Sequence, residues 1–240
     1  MEIFLVLALS LGQSAVYSLM SFADKATRGP LRDQTTSLNN QLNTREYFDL
    51  AYQLLDIAFS LVPVALALYL LQRSLGQRRA HIGFDFRRPG RDWLQGGGLF
   101  LAMGLGTVGV YAAGRALGVT TALSTANLGQ YWWSIPVLLL SAARHAVLEE
   151  AIMLAFLFAY GRKLQLGSWT VMIGSALLRG SYHLYQGVGP FIGNAAMGLV
   201  FGWVYRKYGR VMPLVIAHFL LDAVGFVGYA LLGSVLGIGK

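Results

Sequence analysis

The sequence predicts an all-α, polytopic transmembrane helical bundle with about seven spans. Three observations point there. Of the 240 residues, 55% are apolar and only 12% charged, with a mean hydropathy of +0.53. A soluble domain carries about twice that charged fraction. Residues 3–23, 93–114 and 120–143 hold no charge at all, and 211–239 holds only Asp222; crossing a bilayer takes about 20 apolar residues. The apolar runs are continuous and not alternating, so the backbone pairs within helices, not around a barrel.

Each span follows in order. The first is expected at 3–23, an uncleaved span and not a signal peptide, since MEIFLVLALSLG has Glu2 and no basic start. A polar segment, 24–46, reads as a loop or a helix lying at the surface. The second span is expected at 47–71, interrupted by Asp56 and Pro63. A basic loop at 72–92 carries Arg73, Arg78, Arg79, Arg87, Arg88 and Arg91. The third span is 93–114, the fourth 131–160, the fifth 168–187, the sixth 190–205 and the seventh 211–236. Tyr131, Trp132 and Trp133 read as an interfacial aromatic belt. The whole chain, 1–240, reads as one integral membrane domain.

The net charge of +8 comes from short loops. Besides 72–92, Arg162 and Lys163 mark one turn, and Arg206, Lys207 and Arg210 another. Seven spans put all three on one side, the cytoplasmic one under the positive-inside rule. The expected location is a bacterial-type plasma membrane with the N-terminus in the cytoplasm and Lys240 outside. Clustering of this kind sets topology, so nucleic acid is not an expected partner; the bilayer is. With no cysteine, disulfides and thiolate metal sites are excluded.

Ionisable residues inside a membrane are costly and mark function. Here they are few: Arg144, His145, Glu149 and Glu150 in the fourth span, Arg179 and His183 in the fifth, His218 and Asp222 in the seventh. His145/Glu149, Arg179/His183 and His218/Asp222 are each four apart, on one helix face. The least costly arrangement turns the three pairs toward a common polar cavity. Carboxylates, imidazoles and an arginine there could activate a water. Adjacent helical residues lie about 100° apart, so one acid of the 149/150 pair is expected to face the cavity. The other should reach a neighbouring helix or a partner such as Arg144. Asn194, Gly198 and Gly202 share a face of the sixth span. The glycines are expected to serve close packing, and Asn194 to support the site.

At these residues the chain resembles the CPBP intramembrane proteases, the family of CAAX prenyl endopeptidases and bacteriocin-processing or immunity (Abi) proteins. The family pattern is E-E-x-x-x-R, then F-x-x-x-H, then H-x-x-x-N or H-x-x-x-D. This chain has EEAIML at 149–154, RGSYH at 179–183 and HFLLD at 218–222, in the same order. The resemblance covers about 132–236. It implies peptide-bond hydrolysis in a membrane-associated protein or peptide. Glu149 and His183 would activate the water, and His218 and Asp222 would stabilise the oxyanion or complete the site. Glu150, Arg179, His145 and Asn194 are supporting candidates. The chemistry would use either no cofactor or a divalent metal. If a metal is used, Glu149, His183 and His218 are its expected ligands, though the chain has no H-E-x-x-H zinc helix.

Two departures stand out. Leu154 replaces the family arginine, and Arg179 replaces the family phenylalanine. Arg179 is therefore expected to supply the missing charge from the facing helix, pairing with Glu149 or Glu150. Rival readings of the same residues are a non-catalytic membrane immunity or scaffold protein, and a proton-coupled carrier.

Overall fold

The structure is a computed structural model describing residues 1–76 and 79–236. Arg78 and Lys240, both used in reading the loop charges, lie outside the described residues. Among the described residues there are ten α-helices: α1 Glu2–Ala8, α2 Leu11–Arg28, α3 Glu46–Ser60, α4 Val62–Leu75, α5 Pro89–Ala116, α6 Ser134–Glu150, α7 Leu157–Lys163, α8 Ser168–Ser181, α9 Val188–Tyr208 and α10 Met212–Leu236. A π-helical segment, Ala151–Phe156, joins α6 to α7 without a break.

The expected helical stretches mostly appear, with local causes for their differences. The first is bent by 49° between α1 and α2, where the Ser10 hydroxyl turns back to the Val6 carbonyl at 2.5 Å. The second divides at Leu61, because Pro63 lacks an N–H and starts a new helix instead of continuing one. The fifth stops at Ser181, not 187. Gly187 has φ +117, a backbone conformation open to glycine, and the chain turns there into α9.

Two expectations need correcting. The fourth span, expected at 131–160, is helical from Ser134, but the charge-free run ahead of it, from 120, is not. That run is extended, with strand β2 (Ala122–Ser124) pairing in parallel with β1 (Thr35–Ser37), Thr35 opposite Ala122. Lack of charge misled here, since Ser and Asn side chains in this stretch bond backbone groups and compete with a helix; Asn127 Nδ2 donates to the Leu38 carbonyl at 2.9 Å. The fold is thus helical with one short ribbon, and 24–46 is partly strand. Trp132 is exposed as a belt residue should be, but Trp133 is buried and stacks on Tyr131, ring centroids 5.0 Å apart.

The loops gather at two ends. At one, Glu2 accepts from Ser74 at 2.8 Å and from Lys163 at 3.4 Å, and the Ile82 carbonyl accepts from the Val211 amide at 3.1 Å. At the other, Lys25 donates to the Tyr185 carbonyl, Thr121 to the Gln186 carbonyl and Thr125 to the Gly225 carbonyl. The chain passes between these ends seven times. Among the described residues only four of the helical stretches are long and apolar enough to cross a bilayer: Glu46–Leu75, Pro89–Ala116, Val188–Tyr208 and Met212–Leu231. The bent α1/α2 pair would make five. Length and composition therefore do not confirm the expected count of about seven. At 14 residues, α8 is about 21 Å long, short of a hydrocarbon core of about 30 Å.

The core centres on the π-helical segment, where Ile152, Met153, Leu154, Ala155 and Phe156 are all buried. Outside it, α8 packs on α9 and α10 on α5 and α6. Gly198 permits the first contact: a Cβ there would lie 2.8 Å from the Ala176 Cα and 3.4 Å from the Arg179 Cδ.

The basic end is locked by Arg210. It donates to both Asp92 oxygens, at 3.0 and 2.7 Å, and to Asp85 Oδ1 at 3.1 Å. Burial alone would raise the Asp85 carboxyl, but the Arg87 amide and the Arg210 guanidinium outweigh it and hold it below the usual carboxylate range. A carboxyl with a lowered folded pKa stabilises the fold above its ordinary range, near pH 4. That contribution is lost as pH falls through the folded value. Melting temperature should therefore drop in acid, and Asp85→Asn should flatten part of that drop. Superimposable melting curves of the two proteins across pH 3–6 would refute the assignment.

Candidate active site

The acid pair ends α6 where the π-helical segment begins. Such wide turns occur often at functional sites. Glu149 and Glu150 are both buried, at 4% and 0% exposure. Arg179, from the last turn of α8, is buried as deeply. Its Nη2 lies 2.7 Å from Glu150 Oε1 and 3.9 Å from Glu149 Oε2. Phe201 lies under the guanidinium, 5.6 Å from ring centroid to Cζ. The expectation that only one acid turns inward is corrected: both reach one guanidinium. Three torsions per Glu side chain, and the length of Arg179, close the 100° gap.

His218, on α10, completes the cluster. Its Nδ1 lies 2.7 Å from the same Glu150 Oε1, and its Nε2 lies 3.6 Å from Asp222 Oδ2 one turn further. Each ring nitrogen thus faces a carboxylate. Tyr182 was not anticipated from the sequence. It follows α8 directly and donates its hydroxyl to Glu149 Oε2 at 2.6 Å. Its position beside His183 in RGSYH was the available signal.

The two acids differ in what they have left. Glu150 Oε1 holds both Arg179 and His218, and Oε2 is buried with no partner among the described residues. Glu149 Oε2 holds Tyr182, and among the described residues no hydrogen bond reaches its other oxygen. Arg179 Nη1 also has no hydrogen-bond partner among the described residues.

The remaining candidates sit around this centre. His183 lies just past α8, part-buried, with Nδ1 3.2 Å from the Arg179 carbonyl and its ring 4.9 Å from that of Tyr182. A proton on Nδ1, shared with that carbonyl, would leave Nε2 as the acceptor. No hydrogen bond joins His183 to Glu149 among the described residues. His145 is drawn away: Nε2 meets Arg144 Nη2 at 2.5 Å, and the ring packs edge-on to Phe226 at 6.2 Å. Arg144 partners neither acid but reaches Asp56 at 3.0 Å and Ser60 at 3.2 Å, tying α6 to α3. Asn194 donates to the Pro190 carbonyl of its own helix at 3.0 Å.

A metal can be tested against this geometry. Glu149, Glu150 and His218 offer ligand atoms within 4.8 Å of one another. His183, one of the expected ligands, is not in that group. The three atoms do not suit a divalent cation as they stand. Arg179 already occupies the cation's side of the acids at 2.7 Å from Glu150, and a second cation there would be repelled strongly at low dielectric. The cluster closes on itself as a buried ion-pair network.

Residues 131–224 match the family model described as type II CAAX prenyl endopeptidase Rce1-like. No curated protein and no solved structure matches the chain. The matched stretch runs from just before α6 into α10 and contains Glu149, Glu150, Arg179, His183, His218 and Asp222. Over this stretch the chain is similar to the Rce1-like type II CAAX prenyl endopeptidases.

Proposed function

We propose that the protein is an integral membrane endopeptidase that hydrolyses a peptide bond in a membrane-associated protein or peptide, using a water activated by Glu149. The observation that carries this is the division of labour within the acid pair. Glu150, fully buried, shares Oε1 between Arg179 and His218, while Glu149 is hydrogen-bonded by Tyr182 and keeps 4% exposure, with its other oxygen open to a water. A base needs such an oxygen within reach of its water.

Glu149 takes a proton from water as the oxygen attacks the substrate carbonyl carbon. The oxyanion that forms lies near Arg179, whose Nη1 is the spare donor, and near His218, held by Glu150 and Asp222. Donors fixed before charge develops are the strongest form of such help. Glu149 then returns the proton to the leaving amine as the C–N bond breaks. His183 supports the water through Nε2, and Tyr182 fixes the Glu149 rotamer. The whole chain acts as one membrane domain. Its basic end faces the cytoplasm, with the N-terminus inside, of a bacterial-type plasma membrane.

The test is purified protein in liposomes with a panel of membrane-tethered peptides. Cleavage at a defined bond, with no dependence on a pH gradient, is expected. Folded protein that cuts nothing but carries a gradient-driven flux would replace this reading with the carrier.

A further inference from the structure

A second site stands at the basic end, away from the acid cluster. Three segments distant in sequence enclose a cavity of about 300 Å³: the turn around His81, the α7–α8 turn with Arg162 and Ser168, and the α9–α10 turn with Tyr205 and Arg206. Its floor is apolar, where Phe158 and Tyr205 meet edge to face at 5.4 Å. Its rim is cationic, and among the described residues no Asp or Glu lines it. Pockets of this volume hold small ligands.

The cavity's depth in the membrane can be read from its neighbours. Trp169, Trp203 and Tyr208, on α8 and α9, the helices whose ends line it, are each about half exposed. Arg206 lies 5.1 Å from the Trp169 ring centroid, and Lys207 lies 5.0 Å from that of Trp203 and 5.2 Å from that of Tyr208. Amphipathic rings beside basic side chains mark the headgroup layer. The α8 N-terminus, beginning at Ser168 with no side-chain cap, turns the positive end of its dipole to the same side. Arginines that only set topology need no shared concavity; Arg88 and Arg91, exposed at the start of α5, do not line it.

We propose that this cavity binds the phosphate of an anionic lipid headgroup, with Arg162 and Arg206 as its charge partners. Basic pockets between helices on the cytoplasmic side suit that chemistry. The site is separate from peptide cleavage, so its test does not depend on activity.

The test uses the full chain in neutral detergent. Short-chain phosphatidylglycerol, phosphatidylcholine and inorganic phosphate are titrated separately, with binding read by native mass spectrometry and melting temperature. Phosphatidylglycerol should bind and raise the melting temperature, and phosphatidylcholine should do neither. At about 1 kcal/mol per basic residue, Arg162→Gln should weaken binding about fivefold and Arg162→Gln with Arg206→Gln about 30-fold. Arg88→Gln with Arg91→Gln should bind as the native protein does. Arg162→Gln alone leaves the Arg206–Trp169 contact intact, so it reports on charge even if the double variant loosens α8. Inorganic phosphate reproducing the full effect would overturn the lipid as the source and assign the site to a free anion. Unchanged binding in the 162/206 variant, or equal loss in the 88/91 variant, would overturn the pocket itself.

Discussion

Glu149→Gln should lower peptide cleavage by roughly 10²–10⁴-fold, the usual contribution of a positioned base, while the protein folds and accumulates normally. The amide is nearly isosteric, and its oxygen can still accept from the Tyr182 hydroxyl, now at 2.6 Å from the carboxylate. Glu150→Gln should behave differently. It removes the charge that both Arg179 and His218 meet at 2.7 Å, leaving the buried guanidinium short of a partner, and should cost stability first. Measuring cleavage rate and melting temperature for both variants separates the roles. A fully active Glu149→Gln, or a Glu150→Gln that is stable but dead, would reverse the assignment within the pair.

The second large effect concerns Arg179. Removing one partner of a buried pair costs about 3–5 kcal/mol, because the other charge stays behind. Arg179→Met should therefore lower the melting temperature by roughly 10 °C in a chain of this length. Two further variants show whether charge is the cause. Adding Glu150→Gln to Arg179→Met should cost much less than the separate effects combined, as coupled neighbours do. Arg179→Phe with Leu154→Arg restores the arrangement of the family pattern. Leu154 lies four residues after Glu150 and is buried, so an arginine there approaches the acids from their own helix. At least half of the lost stability should return. A double variant no better than Arg179→Phe alone would show that the guanidinium is held for its shape, through Phe201 and Gly198, and not for its charge.

The centre of the site was readable from the sequence because burial makes charges seek one another. Arg179 and the acid pair had few other partners on the apolar spans, and Leu154 left a charge missing on one side. Depth along the helix decides which residue meets the acids. Arg179 lies 11 residues into α8, about 17 Å from its start. Glu149, counted back from the shared end, stands roughly level with it. His183 lies a further turn away, where α8 has already ended, which is why it flanks the acids and does not bond them. Tyr182 stayed hidden because a phenol in an apolar span reads as packing. The β1/β2 ribbon stayed hidden because three-residue strands show no period. Freedom from charge is not helix propensity, so the run ahead of α6 is extended, and α8 by itself is too short to confirm its expected span.

The wide turn at Ala151–Phe156 sets the phase between the two halves of a single rod. Each residue of an ordinary helix advances its side chains by 100°, so the surplus residue held in this turn decides where the segment before it points. Deleting one residue from 151–156 would let the rod wind smoothly and rotate Glu149 and Glu150 away from α8 together. Their alignment with a guanidinium on another helix is therefore a matter of count as well as of chemistry.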